Sequence, residues 1–477
     1  MAAPASIPVP DELLEEIFIR LPTLNALALA SGACTSFRRV IKARAFRRRF
    51  RALHRPPLLG FMDVAGFHPS QAPHPSAPLA VALAPYAADF SFVPPVVSST
   101  SYRVPRDDHD EEGPRWRPRD VRDGRVLLDW RSFYPRSVHM WTYREDSARR
   151  EVSILMDSRE LGDDQLCDRL TWTKRERCKV GILVDCMERG LGDFDNDRHR
   201  CNAADFHLAV CDPLSSRYVL LPTIPEDLAA GPQDSLWAFE PVLAPATGDD
   251  GEDEPVKVIC FARYMTKLVL FVFSSTTRQW SMVESPSFPF LKRLDLDMSC
   301  FDCVRGCFYW TEPYDWGDHL MVLDTRTMSF STVDLLTGCH EELRDLHDPS
   351  FRPWRLNAVV AGRQGALEMF SLVCQHGSFA LYHTSLQNNS QEWKLEKIIH
   401  LPEQYHDYSI STVGAAEGFL FFQGAPEGNP IEHVDCYSME VKPYEMTMVC
   451  SKLVDFSNRK LALPYFIFPT VLSEPTI

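Results

Sequence analysis

The stretch "LVLFVFSSTTRQWSMVE" (Leu268–Glu284) carries the pattern that decides the fold. A run of β-branched and aromatic residues leads into a short polar turn, and a second run follows whose second residue is an aromatic. This order predicts two neighbouring antiparallel strands joined by a hairpin.

The same unit recurs along the chain. The other copies are "HLAVCDPLSSRYVLLP" (207–222), "HLMVLDTRTMSFSTVDL" (319–335), "FALYHTSLQNNSQEWKLEKI" (379–398) and "HVDCYSMEVKPYEMTMV" (433–449). The aromatic residues that follow the turns are Tyr218, Trp280, Phe330, Trp393 and Tyr444, at intervals of roughly 50 to 60 residues. A repeat of this length indicates a propeller or another repeat architecture.

Further apolar runs lie between these hairpins, namely "VKVICFA", "GCFYWTE", "ALEMFSLV" and "GFLFFQG". Together they give about four strands per unit, at a period near that of kelch-type blades. Amphipathic helices of the length typical of α/β enzymes are absent between the strands. The sequence therefore predicts a β-propeller of about six blades, with a sixth, irregular copy formed by the proline-rich segment and by "GRVLLDW" through "EVSILMD".

The first fifty residues differ from this pattern. Pro10, Asp11 and Glu12 suit a helix start, and Pro22 ends the helix. Thr23 can cap a second helix, and Thr35 or Ser36 a third. The helical spacing of apolar residues supports three helices, with Leu13, Leu14, Ile17, Phe18 and Leu21 on the first, Leu24, Leu27 and Ala28 on the second, and Phe37, Val40, Ile41, Phe46 and Phe50 on the third.

The predicted fold class is therefore α+β over the chain, with a small three-helix unit ahead of a mainly-β domain. The expected division is 1–50 for the helices, 51–121 for a proline-rich connecting segment with possible first propeller strands, and 122–477 for the propeller.

Composition restricts the classes of function. The chain has 477 residues, 45% hydrophobic and 24% charged, which is ordinary for a globular protein. Its formal net charge of -15 argues against general binding to nucleic-acid phosphates. The 14 cysteines are scattered and follow no secretory signal, and no stretch is apolar enough to span a bilayer. We therefore expect reduced thiols and a cytoplasmic or nuclear protein that does not bind membranes.

The segment from Ile7 to Ile41 resembles an F-box. The matching positions are Val9-Pro10, Leu13, Ile17, Leu21-Pro22, Leu27, Ser31, Cys34, Phe37 and Arg38. Val9, Ala26, Leu29 and Phe37 depart from the usual Leu, Asp, basic residue and Trp, and all four keep or increase apolar character. "RPPLLGF" (55–61) and the propeller-like hairpins also resemble plant F-box proteins with a kelch-like or F-box-associated C-terminal domain.

This resemblance implies a function. An F-box binds a Skp-type adaptor, and through it the cullin and RING subunits of a ubiquitin ligase, while the C-terminal domain binds a target protein. The adaptor-binding residues that it implies here are Pro10, Leu13, Leu14, Ile17, Leu21, Pro22, Leu27, Cys34 and Phe37. Such a subunit acts by tethering and needs neither a catalytic residue nor a cofactor.

Elementary physics agrees with this expectation. About forty residues of helix bury too little surface to be stable alone. A leucine-rich surface left over must be covered by the rest of the chain or by a partner. The alternative interpretation is a helical cap packed on a propeller enzyme, for example a hydrolase with converging carboxylates or histidines.

Two segments resemble metal-binding motifs, but their spacing argues against a metal site. "CFDCVRGC" contains Cys300, Cys303 and Cys307 but lacks a second ligand pair at zinc spacing, so buried strand cysteines are predicted. "DFDNDRHRCNAAD" starts like a calcium loop at Asp193, Asp195 and Asp197. Arg198 and Ala204 occupy the glycine and glutamate positions of such a loop, which argues against calcium.

The basic segment "KARAFRRRFRALHR" (Lys42–Arg55) permits a nuclear import signal or a nucleic-acid patch. We favour a solvated helix face with Phe46, Phe50 and Leu53 directed inward. A basic-helix nucleic-acid binder stays a third hypothesis, behind the ligase subunit and the propeller hydrolase.

Overall fold

The computed structural model describes residues 9–21, 24–63, 66–87, 89–96, 115–131, 141–146, 149–154, 179–180, 203–229, 236–245, 256–264, 267–284, 302–310, 319–346, 357–362, 366–387, 392–406, 408–426, 433–441, 443–453 and 462–468. Asp193, Asp195 and Asp197 of the segment that starts like a calcium loop lie outside these residues, as do Cys300 and Pro22.

Four helices, where three were predicted, form the N-terminal part of the described chain: α1 (Asp11–Ile19), α2 (Leu24–Ala33), α3 (Thr35–Lys42) and α4 (Arg44–Leu53). The other α-helices of the described residues are α5 (Ala77–Ala87), α6 (Glu226–Ala229) and α7 (Cys339–Leu346). The predicted third helix is divided because Ala43 adopts an extended conformation with ψ 132°. Its cap is Cys34, whose Sγ accepts a hydrogen bond from the backbone N–H of Phe37 at 3.4 Å, instead of Thr35 or Ser36.

The strands account for most of the rest of the described chain. In chain order they are β1 (Leu58–Asp63), β2 (Gly66–Pro69), β3 (Arg115–Arg122), β4 (Arg125–Arg131), β5 (Trp141–Asp146), β6 (Arg149–Ile154), β7 (Lys179–Val180), β8 (His207–Asp212), β9 (Arg217–Leu220), β10 (Leu236–Leu243), β11 (Lys257–Tyr264), β12 (Leu268–Ser274), β13 (Gln279–Glu284), β14 (Asp302–Val304), β15 (Cys307–Trp310), β16 (His319–Asp324), β17 (Ser329–Asp334), β18 (Asn357–Ala361), β19 (Leu367–Gln375), β20 (Ser378–Leu386), β21 (Trp393–His400), β22 (Tyr408–Ala416), β23 (Phe419–Pro426), β24 (His433–Glu440), β25 (Met446–Leu453) and β26 (Leu463–Phe466).

These strands build a six-bladed β-propeller, which confirms the predicted architecture and its blade number. Five blades are four-stranded antiparallel sheets: blade 1 is β3-β4-β8-β9, blade 2 is β10 to β13, blade 3 is β14 to β17, blade 4 is β18 to β21 and blade 5 is β22 to β25. The sixth is the three-stranded sheet β26-β1-β2. Blade 6 therefore joins the end of the described chain to the first two strands, and this pairing closes the ring.

The predicted composition of the sixth blade was right in part: β1 and β2 of the proline-rich segment belong to blade 6, but the runs at 124–130 and 151–157 do not. "GRVLLDW" forms β4, which pairs with β8 and so belongs to the same blade as the hairpin at 207–222. "EVSILMD" contributes to β6, in a separate sheet with order β6-β5-β7. Closure between distant parts of the chain explains the error, because the pairing of β1 with β26 leaves no mark on local sequence.

The five recurring hairpins form the third and fourth strands of blades 1 to 5, and the intervening apolar runs form the second strands of blades 2 to 5. One expectation fails in detail: Tyr444 precedes β25 and lies in the turn with φ 71°. The first strands were not located, since β14 has only three residues and β3 is rich in arginine.

The core is divided into wedges between neighbouring blades. Leu127 of blade 1 packs with Phe271 of blade 2, and Phe261 of blade 2 with Phe308 of blade 3. In the wedge between blades 5 and 6, the rings of Phe61 and Phe421 lie 5.6 Å apart and perpendicular. Because these side chains are removed from water between two sheets, stability depends on the blades packing as a closed ring.

Two of the recurring aromatic residues hold neighbouring blades together by hydrogen bonds. Trp280 of blade 2 donates from its indole to the carbonyl of Pro222, directly after blade 1, at 2.8 Å. Trp393 of blade 4 donates to the carbonyl of Asp334 in blade 3 at 2.9 Å. The two tryptophans thus make the same kind of contact with the preceding blade, one in blade 2 and one in blade 4.

The two faces of the propeller can be told apart by their turns. In each antiparallel blade the turn between strands one and two leaves from one face, and the turn between strands two and three from the other. We call the first the near face. Blades 1, 3 and 5 carry two-residue turns there, Asp123-Gly124, Arg305-Gly306 and Glu417-Gly418, with positive φ at all six positions. Such X-Gly pairs suit tight hairpin turns.

None of the described helices is both long and apolar enough to cross a membrane.

Candidate functional site

The helices α1 to α4 pack around a small core of their own, which we call the helical unit (residues 9–54). Its buried residues are Leu14, Phe18, Ile19, Leu27, Val40, Ile41, Phe46 and Phe50. The predicted inward position of Phe46 and Phe50 is confirmed, whereas that of Leu53 was wrong, since Leu53 is 61% exposed. The i, i+4 spacing continues from Phe50 to His54, whose ring stacks on Phe50 at 4.0 Å.

The predicted adaptor-binding residues divide between the core and the surface of the helical unit. Leu14 and Leu27 are buried, and Leu21 and Phe37 are half-buried. Pro10, Leu13, Ile17 and Cys34 are exposed. The motif therefore combines residues that hold the helices together with residues that face outward.

The outward-facing apolar residues of α1 line up along one side. Leu13 and Ile17 are separated by one helical turn and are 56% and 55% exposed, and Val9, just before the helix, is 41% exposed. We call Val9, Leu13 and Ile17 the α1 strip. Leu29 on α2 adds a further apolar side chain, 69% exposed. Leaving these side chains in water is unfavourable, and neighbouring exposed apolar side chains are a common feature of docking surfaces.

Ion pairs fix α1 against the two helices that follow α2. Arg39 donates to both carboxylate oxygens of Asp11 at 3.0 and 2.9 Å. Arg49 pairs with Glu16. These groups are exposed, so each pair stabilises the unit only modestly, but together they hold the α1 strip outward.

The helical unit is attached to the near face of the propeller. Phe468, just after β26, contacts the ring of Phe50 at 6.3 Å and lies under the guanidinium of Arg51 at 5.8 Å. Arg55 lies over the ring of Phe419 in blade 5 at 5.9 Å and pairs with Glu440 at 3.9 Å. The side that contacts the propeller is therefore not the side that carries the α1 strip.

A cavity of about 540 Å³ opens on the near face around the propeller axis. We call it the axial cavity. Arg51 and Phe468 form part of its wall beside the helical unit, and the three X-Gly turns of blades 1, 3 and 5 contribute to the rim. Its size is typical of small-molecule sites.

Charged residues of opposite sign line the axial cavity. The basic ones are Arg51, Arg119, Arg122, Arg125 and Arg305, and the acidic ones are Asp120, Asp123, Asp212, Glu240 and Glu417. Of the described residues that line it, none is a histidine. The described part of the chain also contains no group of His, Cys, Asp or Glu side chains suited to hold a metal ion.

The most deeply buried charged side chains form ion pairs with one another. The side chain of Arg119 is 2% exposed, and its guanidinium lies 3.2 Å from Asp129 and 2.9 Å from Glu240. It also donates to the carbonyl of Phe239 at 3.3 Å. A guanidinium buried between two carboxylates, Asp129 of blade 1 and Glu240 of blade 2, is a structural link between these blades.

Two aspartates accept hydrogen bonds from backbone N–H groups of first strands. Asp120 accepts hydrogen bonds from the backbone N–H groups of Val121 and Leu243. Asp302 is fully buried, and its two oxygens accept from Val359 at 2.7 Å and Ala415 at 2.9 Å. Asp302 thereby joins blade 3 to blades 4 and 5 across the axis.

Two further groups at the cavity have shifted pKa values. Burial raises the pKa of Glu417, the charge of Asp123 adds to the rise, and Arg55 and Arg122 oppose it. Burial also raises the pKa of the Cys303 thiol, although Arg122 lowers it in part. Cys303 is therefore a neutral thiol at neutral pH.

Cys303 and Cys307 lie on strands as predicted, but both are half-buried instead of buried.

The residues of this cavity were not singled out as a site by sequence reasoning. The dipeptides in "RDGR", "VRGC" and "AEGF" are recognisable hairpin signals between apolar runs. They identify the turns at its rim. Nothing local identifies Arg119, Arg122 and Glu240 as neighbours, since blades 1 and 2 bring them together.

No protein-family model matches the chain, and no curated protein matches it. Solved structures give distant likenesses only. A post-proline cleaving enzyme from Rickettsia typhi is 11% identical with a TM-score of 0.25, over 52% of this chain and 33% of that chain. A leech intramolecular trans-sialidase is 11% identical with a TM-score of 0.26, over 72% and 45%.

A β-propeller domain from Vanderwaltozyma polyspora is 10% identical with a TM-score of 0.26, over 52% of this chain and 72% of that domain. The chain thus spans less than two thirds of the length of the enzyme and of the trans-sialidase. Likenesses at this level carry no argument about activity, substrates or partners.

Proposed function

We propose that this protein is the substrate-recruiting subunit of a Skp–cullin–F-box ubiquitin ligase. The helical unit docks a Skp-type adaptor, and the propeller holds a target protein. The observation that carries the proposal is the α1 strip, in which Leu13 and Ile17 stay more than half exposed on a helix whose opposite side is buried.

The strip favours a protein partner over a helical cap. A cap would direct the apolar residues of α1 onto the propeller, whereas the contacts with the propeller come from α4 and Arg55. The F-box-like order of residues adds the identity of the partner, because the implied adaptor contacts include Leu13 and Ile17.

The proposed mechanism is tethering. A target held on the propeller is brought to a conjugating enzyme at high effective concentration, and ubiquitin is transferred to a target lysine without a catalytic residue from this chain. The contacts of Phe468 and Arg55 support this role because they restrict the angle between the helical unit and the propeller.

Adaptor binding tests the proposal directly. The double variant Leu13→Asp, Ile17→Asp places two carboxylates in the expected apolar interface, and we expect binding of a purified Skp-type adaptor to fall at least about a hundredfold. Thermal stability should change little because both side chains are exposed. Calorimetric titration of the full chain measures the affinity.

The matched control is Val81→Asp on α5, an apolar residue that is 64% exposed and outside the helical unit. It should leave adaptor binding unchanged. Absence of binding by the wild-type chain, or equal binding by the double variant, overturns the proposal.

A further inference from the structure

Two cysteines lie directly opposite each other in blade 5. Cys436 of β24 and Cys450 of β25 are partners in the antiparallel register. Directly opposed residues of such a pair have Cα atoms about 4.5 to 5.5 Å apart, which is inside the range that a disulfide requires. The two thiols also hydrogen-bond to each other. The backbone therefore already holds the two sulfur atoms close together.

The other buried strand cysteines of the described chain stand opposite residues that cannot form a disulfide. Cys260 of blade 2 is opposite Phe271, and Cys374 of blade 4 is opposite Phe379. Each of them therefore packs as a small apolar side chain beside a ring. The pair in blade 5 differs because each cysteine has a second thiol directly across the strand boundary.

The pair is protected while blade 5 is intact. Both side chains are fully buried. The hydrogen bond with Cys436, together with burial, raises the pKa of the Cys450 thiol. A buried and protonated thiol reacts slowly, because the thiolate is the species that attacks a disulfide. Oxidation therefore requires β25 to separate from β24 for a short time.

Local opening at this place is favoured by the position and the register of β25. It is the outer strand of blade 5 and pairs with β24 on one side. The register shifts next to the cysteines, since Tyr437 faces Met448 and Val449 is the extra residue. A bulge of this kind interrupts the ladder of backbone hydrogen bonds. Separation of the outer strand therefore disturbs less structure here than it would in the middle of a blade.

The same strand connects blade 5 to blade 6. The carbonyl of Val449 accepts a hydrogen bond from the backbone N–H of Gln71, just after β2, at 2.7 Å. Lys452 donates to the carboxylate of Asp63 at 2.7 Å, and both side chains are buried. When β25 separates from β24, these contacts with the blade that closes the ring are weakened as well.

We propose that Cys436 and Cys450 form a disulfide under oxidising conditions, and that this bond fixes β25 and the contact between blades 5 and 6. The oxidant is a low-molecular-weight disulfide. The thiolate of one cysteine attacks it and releases one small thiol, and the second cysteine then attacks the mixed disulfide and releases the other. Two protein thiols are oxidised, and their protons pass to the two small thiols. This modification goes beyond the proposed ligase function and does not depend on it.

The test is incubation of the full chain with mixtures of oxidised and reduced glutathione, in urea below the unfolding midpoint so that the outer strand opens. Peptide mapping without reduction identifies the cysteines that are joined. We expect the Cys436–Cys450 link to be the main product and to be reversed by dithiothreitol. The linked chain should unfold about 3 to 6 °C higher than the reduced chain, because the bond constrains the unfolded state.

Cys450→Ser should abolish both the link and the rise in unfolding temperature after treatment with oxidised glutathione. The matched control is Cys374→Ser, which removes another buried strand cysteine that faces a ring. It should form the Cys436–Cys450 link to the same extent as the wild type.

Peptide mapping of the wild type decides the matter if Cys450→Ser does not fold. The proposal is overturned if Cys436 and Cys450 stay reduced, or carry only glutathione, under conditions in which other cysteines of the chain react. It is also overturned if the linked chain unfolds at the same temperature as the reduced chain. Neither result concerns the α1 strip, so this proposal and the ligase proposal fail separately.

Discussion

The helical unit and the propeller use apolar side chains differently. Each wedge of the propeller places large residues from two blades against one another, so that Phe261, Phe271 and Phe421 are almost fully buried. In the helical unit one side of α1 is buried while Leu13 and Ile17 remain in water. The propeller completes its own core, whereas the helical unit leaves an apolar strip exposed.

The largest expected effect comes from removing a ring from a wedge. Phe421→Ala, between blades 5 and 6, should reduce the free energy of unfolding by about 3 to 5 kcal/mol, because it leaves a cavity among packed rings. The corresponding change on the α1 strip, Leu13→Ala, should alter it by no more than about 0.5 kcal/mol. Urea denaturation of both variants measures this difference, and similar losses would remove the contrast between the two units.

A second comparison concerns carboxylates. Asp302→Ala should cost about 2 to 4 kcal/mol, since the N–H groups of Val359 and Ala415 would lose their acceptors inside the propeller. Asp11→Ala in the helical unit should cost less than about 1 kcal/mol, since its pair with Arg39 is exposed. Chemical denaturation in low and moderate salt separates the two, and a large loss for Asp11→Ala would contradict the account of the helical unit.

The effect expected to be smallest at neutral pH is a dependence of stability on pH, which appears only below pH 6.5. His340 on α7 is buried, which lowers its pKa from 6.5 to about 4, and its Nε2 lies 3.2 Å from Thr384 Oγ1. The folded state holds this imidazole neutral while the unfolded chain takes up a proton. Its contribution is therefore complete above pH 6.5 and is lost as the pH falls toward 4, by up to about 1.4 kcal/mol per pH unit.

The variant His340→Gln should unfold with a flatter pH profile between pH 6.5 and 4 than the wild type. Denaturation curves at several pH values give this slope. An unchanged slope in a folded variant would show that His340 is not the group responsible.

Strand pairs close in sequence could be predicted, because hairpins leave a local pattern of apolar runs, turns and aromatic residues. The predicted strand pairs around Trp280 and Trp393 are antiparallel, as expected. The first strands escaped prediction because β14 is short and β3 is rich in arginine, and their sequences also serve contacts between blades such as that of Arg119 with Glu240. The closure of blade 6 escaped because β1 and β26 lie far apart in the chain.

The two candidate sites also differ in how far the sequence predicts them. Which apolar residues of α1 are exposed could be predicted only in part. Leu13 and Leu14 are neighbours in the motif and both are apolar, yet Leu13 is exposed and Leu14 is buried. The axial cavity could not be predicted at all. Its lining residues come mainly from blades 1, 2, 3, 5 and 6, and no local sequence pattern shows that these residues lie close together.

The pairing of β26 with β1 has a consequence for how the protein is made. All the other strands must leave the ribosome before β26 can pair with β1, although the helical unit is synthesised before the propeller. The same final segment carries Phe468, which holds the helices against the propeller. A chain that stops before β26 would thus combine the exposed α1 strip with an open ring, and the two units would lack the contact through Phe468.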